Sequence, residues 1–293
     1  MIIVKLMGGL GNQMFQYALG RRISLLRNTD LKVDSSFLND KESNHTNRKF
    51  ELDVFSLTIP IASEVEMNRF KTIQENKFKK KIQWIAPFIF PYNSILEQGH
   101  EFNKSILNSP KNSFLIGYWQ TEKYFLTIQD LIRKDFAFKN PLEGVNKIYA
   151  KEIKKSNSVS IHIRRGDYIH NTEANQFHGS CSWEYYSTAL ELVKNKVTNV
   201  HLYVFSDDMK WVKDNMNFDI PVTYIDNNIA ENSYIDMQLM SLCKHNIIAN
   251  SSFSWWGAWL NNTPEKIVIA PTQWFKDTSV NINDVIPIGW YKL

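Results

Sequence analysis

The stretch SVSIHIRRGDYIH, from Ser158 to His170, joins a strand pattern to a doubled cation. From Val159 to Ile163 apolar and polar residues alternate, as the side chains of a β-strand do. Arg164 and Arg165 follow immediately, before a glycine. The edge of a strand needs one charge to prevent pairing with other chains, so two arginines beside a turn require another explanation. We therefore expect an anion-binding site at the end of this strand.

Strands and helices alternate along the rest of the chain. Ile2 to Leu6 predicts a strand, Gly8 to Gln13 a turn and Met14 to Leu26 an amphipathic helix. Further strands are predicted at 31–34, 114–119, 201–205, 222–225, 246–249 and 266–270, with helices near 149 and over 183–194. This order predicts an α/β fold with parallel sheets. Residues 40–110 show no regular pattern and are expected to be irregular.

The alternating pattern runs twice, which predicts two Rossmann-like domains facing a central cleft. A chain of 293 residues is long enough for two domains of ordinary size. The turn residues of NPLEG, Asn140 to Gly144, lie near the expected boundary between domains 1–150 and 151–293. Ligands of such folds bind at the carboxyl ends of the strands.

Composition limits the class of protein. The net charge of +4 suits an anionic small molecule or a membrane surface and is too small to indicate nucleic acid. The two cysteines, Cys181 and Cys243, have no CxxC spacing, so a disulfide framework or a zinc site is not expected and a reducing cytoplasm fits. The apolar start MIIVKL is too short for a signal peptide or a spanning helix, which again predicts a cytoplasmic protein.

The glycine-rich segment GGLGNQ, Gly8 to Gln13, lies between the first strand and the first helix. Glycines let the backbone approach a ligand, and a helix start offers N–H groups to an anion. A dinucleotide fingerprint is the rival interpretation, but Met14 stands where a third small residue is required. A tight turn without a ligand also remains open.

In HIRRGDY the alternation of a strand places His162 and Arg164 on one face and Arg165 on the other. Arg164 can then enter a cleft while Arg165 pairs with a carboxylate such as Asp167. The planar donor fork of arginine suits phosphate oxygens. The alternative is a surface turn with an Arg–Asp pair of little energetic value.

Two further segments follow predicted strands. In NSSFSWWGAWL the serines Ser251, Ser252 and Ser254 are good helix caps and form a second anion cradle, while the tryptophans are expected to pack in the core. In FSDD, Phe205 to Asp208, the carboxylates suit a metal, hydroxyl groups or a helix cap. The chain has no D-x-D triplet, so a metal ion for a diphosphate is not indicated and protein cations must neutralise it.

The segments GGLGNQMFQYALG, HIRRGDYI, FSDD and DMQLMSLCKHNIIANSSFSWWGAWLN together resemble the bacterial α-1,2-fucosyltransferases of glycosyltransferase family 11. The resemblance runs from Lys5 to about Trp274, apart from residues 40–110. It implies a GT-B-like fold and GDP-β-L-fucose as donor, held mainly by the C-terminal half. It also implies inverting, metal-independent transfer to O2 of a galactosyl unit in a surface-glycan precursor such as O-antigen.

The resemblance also implies roles for single residues. Arg164 matches the arginine that grips the β-phosphate, and His162 is expected to contact the donor. The remaining donor-binding positions are Asp236 near the nucleoside, Ser251, Ser252 and Phe253 at the phosphate, and Gly11 and Asn12 from the first half. Asn12 is also expected to be catalytic together with Arg164, because it would reach the phosphate or the fucose. The base that takes the acceptor proton is left open among Asp167, Glu173 and His178.

The segment NKFKKKIQWIAPFIFPY, Asn76 to Tyr92, combines lysines with aromatic residues. Such a segment fits peripheral contact with anionic lipids at the inner face of the cytoplasmic membrane, where a lipid-linked acceptor would lie. The alternative is a basic helix end followed by a core segment. For the whole protein, three other functions stay open: another nucleotide-sugar transferase, a non-catalytic sugar-binding lectin, and nicotinamide-dependent chemistry.

Overall fold

The computed structural model describes residues 1–39, 48–74, 91–165, 179–277 and 280–293. The chain divides into two compact units, one of Met1–Lys139 with Asn283–Val285 and one of Asn140–Ile282 with Ile286–Leu293. Each unit contains its own parallel β-sheet with helices, which confirms the α/β prediction. The assignment of residues 1–150 to the acceptor and 151–293 to the donor stays a prediction.

The first unit is built on a four-stranded sheet in the order β2-β1-β4-β3, with all strand pairs parallel. Its strands are β1 (Ile2–Lys5), β2 (Leu31–Asp34), β3 (Tyr92–Leu96) and β4 (Asn112–Ile116). Its helices are α1 (Leu10–Arg27), α2 (Glu64–Gln74) and α3 (Gln129–Asp135). Because β1 and β4 are neighbours while β1 connects onward to β2, the chain order reverses between β1 and β4. Such a switch point is where α/β sheets bind ligands.

Helix α1 lies very close to strand β1. A Cβ atom built on Gly20 would be 2.4 Å from Val4 Cγ2, so the helix approaches the strand as only glycine allows. The helix also begins earlier than the sequence predicted. Gly9 is its N-cap and Leu10 its first residue, so most of the segment predicted as a turn forms the first turn of α1.

The prediction that residues 40–110 are irregular is wrong for the described part, which contains α2 and β3. Within residues 64–70, the part of α2 whose side chains are described, Met67 and Phe70 are buried. Its start does carry a recognisable signal, a capping box in which Ser63 N–H donates to Glu66 Oε2 at 2.9 Å. Strand β3 lies at the sheet edge, where it is only half buried and pairs with β4 alone.

The second unit has a six-stranded sheet in the order β10-β9-β8-β5-β6-β7, again with parallel pairs. Its strands are β5 (Asn157–Ile163), β6 (Val200–Ser206), β7 (Val222–Ile225), β8 (His245–Ile247), β9 (Val268–Ala270) and β10 (Tyr291–Lys292). Its helices are α4 (Gly144–Lys155), α5 (Trp183–Lys194), α6 (Met209–Asn215), α7 (Tyr234–Leu242) and α8 (Ser252–Leu260). No helix in the described ranges has the length and apolar character needed to cross a bilayer.

The sheet of the second unit is covered on both faces. Leu202 and Val204 of β6 belong to one buried cluster with residues of α5, while Tyr203 and Phe205 belong to another with residues of α7. Strand β5 lies between β6 and β8, and its register with β8 pairs Ile161 with Ile247. The chain order therefore reverses between β5 and β8. The segments that follow these two strands meet at the switch point, where this class of sheet binds ligands.

Candidate functional site

Arg164 lies directly after β5, at the switch point of the second unit. Its Nη1 is 2.9 Å from Oδ2 of Asp207, and each side chain is 22% exposed. The other oxygen of Asp207 accepts the backbone N–H of Arg165 at 2.8 Å. The first carboxylate of FSDD thus holds the loop that carries both arginines. Its function as an arginine anchor was not recognised in the sequence, although its position after a neighbouring strand could have indicated it.

Arg165 is engaged within the second unit itself. Its guanidinium carbon lies 3.4 Å from the ring centroid of Trp211, and its Nε is 3.7 Å from Oδ2 of Asp208. Asp208 also caps helix α6 by accepting the N–H of Trp211 at 3.2 Å. Among the described residues, the carboxylate beside Arg165 is Asp208. The predicted partner Asp167 lies outside the described residues, so that pairing stays a prediction. The stacking of Arg165 on Trp211 was not predicted from the sequence. The one signal for it was that Trp211 lies three residues after Asp208, the carboxylate beside Arg165.

His162 is almost fully buried, at 5% exposure, and its Nδ1 has no hydrogen-bond partner among the described residues. Burial and the nearby Arg164 lower the pKa of His162 to about 4, so the ring is neutral at pH 7. Tyr186 fixes the backbone by donating its O–H to the carbonyl of His162 at 3.0 Å. A neutral imidazole with a partnerless nitrogen can recognise an uncharged donor or acceptor group.

The N-terminus of α8 lies beside His162. The ring of Phe253, in the first turn of this helix, is 5.8 Å from the imidazole ring between centroids. Ser251 is the N-cap residue, but its side chain makes no capping hydrogen bond, contrary to the capping role predicted for it. Among the described residues, the N-cap side chain therefore does not cap the first-turn N–H groups of α8, which lie at the switch point beside the hydroxyls of Ser251 and Ser252. Uncapped helix starts of this kind suit anions.

The interior of α8 serves packing, as predicted. Trp255, Trp256 and Trp259 are 0%, 0% and 3% exposed. Just before the helix, Asn250 donates from Nδ2 to the carbonyls of Gly179 and Trp274 at 3.0 and 3.2 Å. Asn250 therefore links the backbone at Gly179 to that at Trp274.

Asp236 lies in the first turn of α7 and belongs to a network of amides. Its Oδ1 accepts from Nδ2 of Asn228 at 2.7 Å, and Asn228 exchanges two hydrogen bonds with Asn146. Burial raises the pKa of Asp236 to about 7. Near neutral pH this carboxyl group can therefore donate as well as accept a hydrogen bond.

Gly11 and Asn12 belong to the first unit, where both lie in the first turn of α1. Gly11 is buried, and Asn12 Oδ1 accepts from Nε2 of Gln120 at 2.8 Å. Gln13 links the glycine-rich loop to the backbone at Lys49, because its Nε2 donates to the carbonyls of Gly8 and Lys49 at 2.9 and 2.8 Å. The amide residues of GGLGNQ thus make defined contacts within their own unit.

Some predicted residues lie outside the described ranges. They include the three candidates for the base, Asp167, Glu173 and His178, and all of the predicted membrane segment except Pro91 and Tyr92. In the part that the structure describes, no three His, Cys, Asp or Glu side chains are grouped as a metal site requires. Metal independence, the base and the membrane contact all stay predictions.

Comparison with known proteins finds relatives that match over the whole chain. The model of glycosyl transferase family 11 matches residues 1–293. The Escherichia coli alpha-1,2-colitosyltransferase is 38% identical over 100% of this chain and 98% of its own length. The Escherichia coli O-antigen biosynthesis glycosyltransferase WbnK is 36% identical over 92% and 93%. The galactoside alpha-(1,2)-fucosyltransferase 2 of Rattus norvegicus is 24% identical over 49% of this chain and 42% of its own length.

A solved structure has a similar fold. The fucosyltransferase NodZ from Bradyrhizobium aligns over 92% of this chain and 94% of its own, with a TM-score of 0.51 and 13% sequence identity. The fold is thus of the GT-B type that the sequence predicted. The family model spans the whole chain, and two relatives exceed 30% identity over more than nine tenths of it. The chain belongs to glycosyl transferase family 11.

Proposed function

We propose that the protein transfers L-fucose from GDP-β-L-fucose to O2 of a terminal galactosyl unit, with inversion and without a metal ion. The acceptor would be a surface-glycan precursor, as the O-antigen function in the name of WbnK suggests. The observation that carries the proposal is the group of Arg164, His162 and the uncapped start of α8 at one switch point. This group combines a fixed cation, a neutral hydrogen-bonding ring and helix N–H groups that the N-cap side chain does not bind.

These groups suit different parts of a nucleoside diphosphate. Arg164 and the N-terminus of α8 would bind the phosphates, because both offer N–H donors and positive charge. His162 would contact the donor through Nδ1, and Asp236 would accept from or donate to the base. The neutral state of His162 means that Arg164 carries the positive charge of this pair.

The proposed reaction is a single displacement. The acceptor O2 attacks C1 of fucose from the face opposite GDP, the bond from C1 to the β-phosphate oxygen breaks, and the acceptor proton passes to a base. Negative charge grows on the departing diphosphate as this bond breaks. Arg164, held by Asp207, is preorganised to stabilise that charge in the transition state. The candidates for the base are Asp167, Glu173 and His178.

Colitose is the second candidate for the transferred sugar, because the colitosyltransferase of Escherichia coli is 38% identical over the whole chain. Colitose is L-fucose without its 3-hydroxyl group. A site that hydrogen-bonds this hydroxyl should reject GDP-colitose by about 10⁴-fold in kcat/KM. A site shaped around colitose should reject GDP-fucose by only about 100-fold.

The test begins with calorimetric titration of GDP, UDP and ADP into the full chain in the presence of EDTA. We expect GDP to bind and to exceed the other two in affinity. Transfer from GDP-fucose and GDP-colitose to methyl β-D-galactopyranoside would then be measured, with the linkage and anomeric configuration of the product determined by NMR. Absence of GDP binding, or a product linked elsewhere than at O2, would overturn the proposal. GDP binding without transfer would instead favour a transferase that uses another nucleotide sugar or acceptor, because a sugar-binding lectin needs no site for GDP.

A further inference from the structure

We infer that the first unit contains a binding cavity for one neutral pyranose ring of the glycan acceptor, lined by Trp119, Tyr124 and Glu97. The inference rests on the proposed glycosyl transfer and identifies where part of its acceptor binds. The cavity has a volume of about 320 Å³, within the range of small-molecule sites. It is formed by residues between Ser94 and Tyr124, at the carboxyl ends of β3 and β4. Ligands of parallel sheets bind at these ends.

Trp119 supplies the first sign of a ligand. The residue lines the cavity and is 1% exposed, yet its indole Nε1 has no hydrogen-bond partner within the described ranges. A buried donor without a partner is costly, and native proteins rarely leave one in that state. A hydroxyl oxygen of a bound sugar would give this N–H its acceptor. The indole ring would at the same time pack against the C–H groups of the sugar.

Tyr124 adds a second donor from a neighbouring aromatic ring. Its ring meets that of Trp119 edge to face, with centroids 5.9 Å apart. The hydroxyl oxygen accepts the backbone N–H of Asn103 at 3.1 Å, which leaves the O–H hydrogen to be donated. Burial raises the pKa of Tyr124 to about 12, so the hydroxyl keeps this hydrogen at neutral pH.

Glu97 holds Trp119 in position and offers acceptors. Its two carboxylate oxygens accept the backbone N–H groups of Tyr118 and Trp119 at 2.6 and 2.8 Å. Trp119 has a φ of 57°, in the left-handed region that bulky residues rarely adopt. Strained residues of this kind occur preferentially at binding sites. Each oxygen of Glu97 can accept a further hydrogen bond, as sugar hydroxyls would require.

Helix α1 fixes the loop that carries Trp119. Gln16 Nε2 donates to the carbonyl of Gly117 at 3.1 Å, and Asn12 Oδ1 accepts from Gln120 at 2.8 Å. The loop is thus attached at both ends to the helix that begins in GGLGNQ. This arrangement connects the signature segment of the first unit to the cavity.

The lining also limits the class of sugar. Two aromatic donors and a carboxylate match the hydroxyl groups of a pyranose, and the rings match its apolar face. Glu97 places a carboxylate on the lining, which disfavours a sugar that carries a carboxylate or phosphate. A neutral galactosyl unit fits both conditions, whereas a uronic acid does not.

The experiment is a ligand-observed NMR titration of the full chain with methyl β-D-galactopyranoside, with and without saturating GDP. We expect binding to the wild type and a Kd that rises about fivefold in both Trp119→Phe and Tyr124→Phe, each of which removes one donor and keeps a ring. The control is Glu64→Gln, an exposed residue of α2 outside the cavity, which should leave the Kd unchanged. Methyl β-D-galactopyranosiduronate should not displace the galactoside from the wild type, because its carboxylate would face Glu97.

The outcomes separate this inference from the proposed function. GDP affinity, measured on every variant, reports that the second unit is intact and should not change. The urea unfolding midpoint of each variant reports the folding of the first unit. If the galactoside binds equally well to both aromatic variants, or fails to bind the wild type with GDP present, the cavity is not the acceptor site. If the wild type does not bind GDP, the proposed function fails whatever the galactoside does. Tyr124→Phe keeps the test valid should Trp119→Phe prove unstable.

Discussion

Replacing Arg164 by alanine should abolish most of the affinity for GDP and cost little stability. An arginine that places two charge-assisted hydrogen bonds on a diphosphate contributes about 3–4 kcal/mol, so Kd should rise by roughly 100- to 1000-fold. The pair with Asp207, at 2.9 Å and with both side chains 22% exposed, should contribute only about 1 kcal/mol to the free energy of unfolding.

Arg165 provides the matched control, since it is the neighbouring residue with the same side chain. Its stacking at 3.4 Å on Trp211 is worth about 1–2 kcal/mol of stability. Arg165→Ala should therefore lower the urea midpoint more than Arg164→Ala does, while GDP affinity changes less than about threefold because the side chain is turned to Trp211.

A double variant tests the role of Asp207. Arg164→Ala leaves this carboxylate facing the bound diphosphate, so adding Asp207→Asn should recover about tenfold of the lost GDP affinity. Calorimetric titration of GDP at fixed ionic strength measures all four proteins. Equal losses for Arg164→Ala and Arg165→Ala, or no recovery in the double variant, would refute the assignment of Arg164 as the phosphate ligand anchored by Asp207.

Three further changes test the fold and the titration of the site, each by urea unfolding. From pH 5 to pH 8, the free energy of unfolding of Asp236→Asn should rise by about 2–3 kcal/mol relative to that of the wild type. The pKa of Asp236 is about 7 in the folded state and 3.8 ordinarily, so the wild type loses stability as the pH rises towards 7. A pH-independent difference would contradict this. Gly20→Ala should cost about 1–2 kcal/mol through its clash with Val4, whereas Gly289→Ala, with open space around the new Cβ, should be neutral. Ser63→Ala should lower the free energy of unfolding by about 1 kcal/mol because it breaks the capping box of α2. An unchanged urea midpoint would contradict a stabilising role of this box.

Local patterns in the sequence identified most elements of the second unit. Helix α5 and strand β7 were predicted with the bounds that the structure shows, because both carry a clear apolar period. Strand β3 was missed because an edge strand that is only half buried needs no such pattern. The signature segments also led to Arg164 and His162, since the residues that follow buried strands are where this architecture binds ligands.

The sequence by itself determined the α/β class, the family and the side chains available to an anion, because these follow from apolar period and local motifs. Tertiary structure alone decided which groups meet. The pairing of Arg164 with Asp207, the stacking of Arg165 on Trp211 and the cavity at Trp119 all join residues brought together by neighbouring strands. Strand order in a parallel sheet results from packing between distant segments, so no local pattern contains it.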